Sequence, residues 1–460
     1  MKSAAELEQG LDDFSSVLAN DRGALEPTDD WYVANLHGEG AEDVIASLAR
    51  AIRRTQGSQL YYFSGQRGTG KSTELRRLAV TLNAEPKTRA YVVDVLDYIS
   101  DSHPIETIDL LLITALAFAD RLKDIGTFGE DFLKDDGVFS RFGKWLQTDV
   151  EITGVNIGGI KTDFKKQQQS VVKRIREFDL ARQEKVMAEC REFVRDMAQA
   201  VRDRWQADKV VLMIDSLERL RGIGDAAAEM FDRVVKVFDG DSDQLRLPEM
   251  QVIYSVPPYL PYLSNIKQRV QLYMLASVRV CEPPAKARRQ PRVAGLGAME
   301  RVVSKRFAAW PSLISRPALQ CLMLASGGDL RQLLRRLLLE VLDQAYYALD
   351  RLPLAANDAI IATVLETQRV DFEGLVVQEE YPLLKSIGEK NSLDLPRRVD
   401  LPVAARFFDV RAVLNYRNGV EWLDLNPLLW PLIDGWQPPL APVLPGALTT
   451  ALTNDTDPVV

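Results

Sequence analysis

Residues 65–72, Gly65-Gln66-Arg67-Gly68-Thr69-Gly70-Lys71-Ser72, fit the pattern G-x-x-x-x-G-K-[ST] without a gap. Glycines at these spacings let consecutive backbone N–H groups turn inward around an anion, and a helix that starts behind them aims its positive end at the same charge. The chemistry this arrangement serves is the holding of a nucleotide's phosphates. Lys71 would neutralise the β- and γ-phosphates, Ser72 would offer its hydroxyl to Mg²⁺, and Thr73 is the next residue of the same cradle.

Cleaving a phosphate needs more than a cradle, because the metal requires a second holder and the attacking water an orienter. KVVLMIDSLERL (209–220) supplies candidates. Asp215 ends an apolar run, where a buried carboxylate makes sense as a Mg²⁺ partner, and Glu218 lies three residues on. A cap on the next helix is the alternative for Asp215, and a surface ion pair for Glu218.

These residues need a scaffold, and four apolar runs read as its strands: 59–65, 89–96, 209–216 and 250–256, with 272–280 as a fifth. Near-continuous apolar runs separated by helical patterns indicate a parallel sheet covered on both faces. The expected fold is therefore α/β, a P-loop NTPase sheet within 58–284, preceded by a lead-in, 1–57, with a helix from Ala41 to Arg54. Residues 124–206 are surplus to one crossover and read as an insertion, with a small hairpin around VEITGVNIGGIKTDF and a charged helix from Lys166 to Gln206.

Beyond the basic, proline-containing linker EPPAKARRQPRV, residues 285–350 read as a helical lid and 351–437 as a winged-helix-like domain. Asn418-Gly419 between alternating apolar flanks predicts a hairpin with a type I′ turn, behind a helix from Leu401 to Leu414. The remaining 438–460 form a proline-rich tail.

With 27% charged residues and no run near the ~18 apolar residues of a membrane span, a soluble chain without membrane attachment is expected. MKSAAELEQGLDDF lacks a secretory signal's basic start and apolar core, which makes the cytoplasm the expected compartment. Cys190, Cys281 and Cys321 are widely spaced and odd in number, so reduced buried thiols are expected. The net charge of −8 argues against whole-surface attraction to nucleic acid or anionic lipid.

SGQRGTGKSTELRRL together with VVLMIDSLERL resembles the additional-strand class of P-loop ATPases, and within it the AAA+ and STAND groups. AAA+ proteins usually carry two adjacent acids after the strand. Here Ser216 follows Asp215 and the second acid is Glu218, a spacing closer to the STAND pattern. The resemblance runs from Gln59 to Leu349 and more loosely into the winged-helix region. It implies ATP and Mg²⁺ as ligands, MQVIYSV as the strand between the two motifs, and Ser255 as a polar sensor of the γ-phosphate. It also implies Arg331 in SGGDLRQLLRR as the lid's phosphate contact, with Arg335 and Arg336 as competing choices or all three as a solvated helix face. Arg269 would be a finger reaching a neighbouring subunit.

Between Lys385 and Asp434 seven basic residues face seven acidic ones, so the basic stripe a DNA-reading winged helix needs is missing. The favoured function is an ATP-binding and ATP-hydrolysing switch that controls a separately encoded partner protein. The resemblance adds a role in bacterial stress or antiphage defence, and a nucleotide-dependent homo-oligomer. Two alternatives stand beside it: a DNA-binding AAA+ ATPase that grips a duplex with Lys286 to Arg292 or the winged helix, and a scaffold that holds ATP without turnover. Trp31 and Tyr32 could flank a base, or simply pack.

Overall fold

The computed structural model describes residues 3–20, 22–38, 42–98, 105–124, 137–150, 175–220, 226–284 and 289–435. The chain divides into two compact units, one made of Val44–Ser64 and Glu74–Met274, the other of Met1–Asp43, Gly65–Thr73 and Leu275–Val460. The hairpin expected in 150–164, residues 285–288 of the basic linker and the 438–460 tail lie outside the described residues, as does the charged helix's start.

Helix α1 spans Ala4–Ala19 and α2 spans Val44–Arg54. The first unit is built on a sheet. Strands β1 (Gln59–Gly65), β2 (Thr88–Asp94), β3 (Lys209–Asp215), β4 (Gln251–Val256) and β5 (Gln271–Leu275) run in the order β2-β3-β4-β1-β5. β4 lies between β1 and β3 and pairs with both in parallel, which is the additional strand of this class of P-loop sheet. Burial follows position: β3, β4 and β1 are buried along nearly their whole length, whereas the edge strands β2 and β5 alternate or open to solvent. Successive residues of the middle strands are buried alike, so their apolar runs have no polar side. The fifth run was expected to extend to 280 as strand; pairing stops at Leu275.

The crossovers include α3 (Lys71–Asn83), α4 (Thr107–Asp124), α5 (Val138–Thr148), α6 (Leu180–Trp205) and α7 (Ala226–Val235). The insertion's charged helix is α6 in its described part. Asp179 caps it, and it docks by one stripe, Val186, Cys190, Val194, Met197 and Val201, with α4 among its packing partners. Arg176, just ahead of α6, donates to buried Asp109 of α4 at 2.6 Å. Burial pushes that carboxyl up to about 6 against the pull of the guanidinium.

In the second unit, α1 opens with a Ser3–Glu6 capping box and buries Leu11, Phe14 and Leu18, Phe14 stacking on Phe307 at 4.8 Å. The lid comprises α8 (Val293–Arg306), α9 (Arg316–Ala325) and a run of three helical pieces, Leu330–Gln332, a π turn Leu333–Leu338 and Leu339–Ala345. The winged-helix domain follows with α10 (Ala359–Glu373), α11 (Tyr381–Lys390), α12 (Leu401–Asp409) and an antiparallel hairpin of β6 (Val413–Arg417) and β7 (Glu421–Leu425). Tyr416 and Trp422 stack across that hairpin, with ring centroids 4.4 Å apart.

Two expectations are corrected here. The helix expected to reach Leu414 ends at Asp409, because Arg411 takes φ +63° and the chain turns into β6. The expected type I′ turn is a three-residue loop: Arg417 pairs with Glu421, and of the residues between them only Gly419 has positive φ, at +91°.

The domain is pinned to the linker by a buried pair. Arg289 donates from Nε and Nη2 to the two carboxylate oxygens of Asp424 at 3.1 and 2.9 Å, and its guanidinium lies 4.4 Å from the Trp430 ring. Their side chains are 1% and 4% exposed, so removing either partner strands a charge away from water. Asp424→Ala should cost about 3–5 kcal/mol in urea unfolding. Replacing both residues by apolar side chains of similar volume should recover most of that loss.

Candidate functional site

The glycine loop is organised around one residue, Gln66, which is 1% exposed. Its carbonyl oxygen accepts from Thr69 N–H at 3.4 Å, Thr69 Oγ1 at 2.8 Å and Lys71 Nζ at 2.8 Å. Lys71 is itself buried, its ammonium folded back over the loop it belongs to. The side-chain amide of Gln66 reaches outward. Nε2 donates to the carbonyl of Val413, the first residue of β6, and Oε1 accepts from Ser277 Oγ at 3.2 Å. Ser277 N–H in turn donates to Asn415 O at 3.0 Å.

Gly68 shows why this loop needs glycine. Its φ is +95°, and a Cβ there would come within 2.8 Å of Asp329 Oδ1 and 3.0 Å of Arg331 Cβ. The lid segment SGGDLR therefore lies against the loop, and it brings the backbone of Arg331 beside Gly68. Asp329 is 2% exposed and does two things. Oδ1 caps the helix by accepting from Gln332 N–H at 2.9 Å, and Oδ2 accepts from Arg411 at 2.9 Å. Arg335 donates to Ala19 O at 2.6 Å. Tyr416 OH donates to Gly327 O at 2.7 Å, a further tie between lid and winged helix.

The lead-in flanks the same loop. Leu25 N–H donates to Thr73 Oγ1 at 3.1 Å, and His37 Nδ1 lies 2.9 Å from Ala276 O. Trp31 has Arg22 stacked 3.6 Å from its ring centroid and Arg306 at 5.3 Å, so its described role is packing. Burial pushes the Arg306 guanidinium down to about 10.

In the sheet unit, the carboxyl ends of the strands fall in one row. Phe63 pairs with Ser255, Ile214 with Tyr254, and Asp94 with Asp215. Asp215 is 3% exposed and its Oδ1 accepts from Ser216 N–H at 2.8 Å. Ser216 takes φ +71°, uncommon for a residue with a Cβ, and so bends the chain sharply out of β3. The short 3-10 turn Leu217–Arg219 that follows carries buried Glu218. Ser255 Oγ accepts from Leu217 N–H at 3.0 Å, so the end of β4 fixes the turn that bears the acid. Arg269 is exposed and turns onto Asp239, donating to its carbonyl at 3.1 Å.

Three residues of this arrangement carried no such role in the sequence. The side chain of Gln66 occupies a variable position of the loop pattern, and nothing local marks it as a bridge to residue 413. Asp329 had a signal, an N-cap acid after two glycines. Arg411 had none, because helical periodicity ran through it. Asp94 is another acid at a strand end; its Oδ1 caps the following turn at Leu96 N–H, 2.9 Å away.

In the unit that contains the lid, a buried lysine and closely packed glycines in the loop suit phosphate in donor chemistry; in the sheet unit, taken by itself, a buried carboxylate ending β3 suits a divalent cation. No protein-family model matches the chain, and no curated protein matches it. Among solved structures, the ORC2 protein of Aeropyrum pernix in its ADPNP-ADP complexes is similar at 8% identity and a TM-score of 0.33, covering 86% of this chain and 93% of that one. Its ADP form stands at 10% identity and 0.33, covering 88% and 95%. The Cdc6p structure from Pyrobaculum aerophilum stands at 11% identity and 0.30, covering 93% and 96%. At these TM-scores no detail of the site is taken from them.

Replacing Gln66 by Leu removes both side-chain bonds and leaves the carbonyl node in place. Amide exchange at Asn415 and its hairpin neighbours should rise about five- to tenfold in hydrogen-exchange mass spectrometry, as for one lost buried hydrogen bond. Exchange in β3 should not change.

Proposed function

We propose that this chain, a P-loop ATPase fold of the AAA+ type, binds ATP with Mg²⁺, hydrolyses it, and uses the phosphate state of its loop to set the posture of its winged-helix domain. The supporting observation is the double role of Gln66. The residue whose carbonyl holds Thr69 and Lys71 in place also holds Val413 and Ser277 through its side chain. Drawing Lys71 toward a phosphate takes its ammonium from that carbonyl, and any resulting movement of the loop reaches β6 through one amide.

Each residue then has a task. Backbone amides of Gly65, Gln66, Arg67, Gly68, Thr69 and Gly70 bind phosphate oxygens, and Lys71 neutralises their charge. Ser72 and Asp215 are the residues that would hold Mg²⁺, and the cation supplies charge neutralisation on the terminal phosphates. Glu218 orients and accepts a proton from the attacking water. Ser255 is assigned to keeping the Glu218 turn in place, in addition to the sensor role the resemblance implies. Arg331 approaches the phosphates from the lid, and Arg269 is kept for a neighbouring copy.

The output is assigned to a protein partner rather than DNA. Basic groups of the winged-helix domain are engaged within the fold: Lys390 with Asp394 at 2.6 Å, Arg397 with Asp400 at 2.8 Å, Arg406 with Glu380, and Arg411 with Asp329. A separately encoded effector in stress or antiphage defence is the finer form of this reading and rests on the STAND-like spacing of Asp215 and Glu218 alone. A DNA-handling AAA+ ATPase is the other form. The printed names of the ORC2 and Cdc6p structures agree with it in kind and add no weight at TM-scores of 0.33 and 0.30.

Lys71→Ala should lower ATP turnover on the order of a hundredfold, as expected for loss of one group that stabilises developing charge. Glu218→Gln should abolish turnover while nucleotide binding persists. Unchanged turnover in Lys71→Ala would remove the site assignment. DNA binding that weakens steeply between 50 and 200 mM salt, as phosphate contacts require, would move the output to the DNA-handling form.

A further inference from the structure

The lead-in places a histidine beside the glycine loop that has no task in the proposed function. His37 sits in the turn Asn35-Leu36-His37-Gly38, closed by Gly38 N–H donating to Asn35 O at 3.3 Å. Asn35 takes φ +58°, and a Cβ on Gly38 would come within 2.7 Å of Glu42 Cβ, so this turn is tightly specified. His37 and the loop belong to the same compact unit.

Both ring nitrogens have defined surroundings. Nδ1 lies 2.9 Å from Ala276 O. A carbonyl only accepts, so Nδ1 carries a proton, and in the neutral ring Nε2 keeps a lone pair. Nε2 faces Gly70. Among the described residues it is the one atom within 4.0 Å of a Cβ built on that glycine. The loop's other two glycines differ, because a Cβ on Gly65 would meet Leu275 O at 2.5 Å and one on Gly68 would meet Asp329 Oδ1 at 2.8 Å. Packing accounts for those two. At Gly70, whose φ is +91°, the direction a side chain would take leads toward the imidazole alone among the described residues.

We propose that His37 is a phosphate ligand of the loop, its Nε2 donating to a nucleotide oxygen that lies over Gly70. The inference rests on the reading of residues 65–72 as a nucleotide cradle. An oxygen in that space is within reach of a charge-assisted hydrogen bond, about 2.7–2.9 Å from Nε2. Because Nδ1 already holds one proton, only the imidazolium has a second to offer at Nε2; the neutral ring would turn a lone pair toward the anion. Charged residues on the described segments around the ring are Arg67 and Lys71 in the loop, Arg279 after β5, and Glu42 and Asp43 in the lead-in. Arg279 donates to Glu42 at 2.8 Å, and Lys71 to Gln66 O at 2.8 Å. A phosphate adds negative charge next to the ring and favours its protonated form. By linkage, the protonated ring binds the phosphate more tightly. Imidazole ordinarily changes charge between about pH 5 and 8, so the coupling falls in a measurable range.

The sequence holds two histidines, His37 and His103, so histidine-selective ¹³C labelling gives two ring signals, and His103→Gln shows which is which. Saturating ADP without Mg²⁺ should move the His37 titration midpoint of the full-length chain up by about one pH unit, which corresponds to about tenfold tighter binding by the protonated form. Calorimetry supplies a second readout. Between about pH 8 and pH 6, ADP affinity of wild type should gain about fivefold more than that of His37→Gln, the nucleotide's own protonation being common to both. A His37 that only props the lead-in against Ala276 would leave the midpoint unmoved by ADP. That result, or equal pH dependence in the two proteins, would overturn the proposal and leave the cradle standing. A wild type that binds no ADP at either pH would overturn both.

Discussion

Gln66 is the constraint on which the second unit depends. One carbonyl oxygen takes three donors from its own loop, and one amide holds two groups that lie more than two hundred residues further along the chain. A buried amide is costly unless its bonds are made, so loop and hairpin stabilise each other's positions. The same logic extends through Asp329. Its two oxygens serve the lid helix and Arg411, and Gly68 must lack a side chain for that carboxylate to lie so close. Phosphate loop, lid and winged helix are thus one hydrogen-bonded network, whose members are bound to each other more tightly than sequence order suggests.

Much of the fold was legible because its signals are local. Apolar runs at 59–65, 209–216 and 250–256 became the buried central strands, and the glycine pattern located the loop to the residue. The sheet order, with β4 between β1 and β3, followed from the resemblance rather than from periodicity. What escaped were features decided at a distance or by a single dihedral. Residues 401–414 carry helical spacing throughout, yet Arg411 at φ +63° stops the helix, because its guanidinium is held by Asp329 and the chain must turn to start β6. Asn418-Gly419 signalled a hairpin correctly, but pairing of Arg417 with Glu421 set the loop at three residues.

Of the candidate site, the sequence located the elements and not their supports: Lys71 and Ser72 open α3, Asp215 ends β3 and Glu218 lies in the turn after it. Ser255 was expected to face a phosphate, and its Oγ also accepts from Leu217 N–H, a bond visible only once β3 and β4 are neighbours. Ser216, read as merely small, makes the bend after Asp215 in a backbone conformation that Cβ disfavours. Such supports depend on which strand ends meet, and that is a property of topology rather than of spacing.

Residues 66 and 413 are 347 positions apart, and a ribosome makes one long before the other. At about 5–20 residues per second, roughly 17–70 s pass between them. By residue 275 the nascent chain has all five strands of its sheet, yet it still lacks the backbone carbonyl that the Gln66 amide meets. The carbonyl node of the loop, local to residues 66–71, can form early, whereas the outward bond of the Gln66 amide waits for the winged helix to be synthesised. The tie between loop and hairpin is therefore among the last contacts that the growing chain can make.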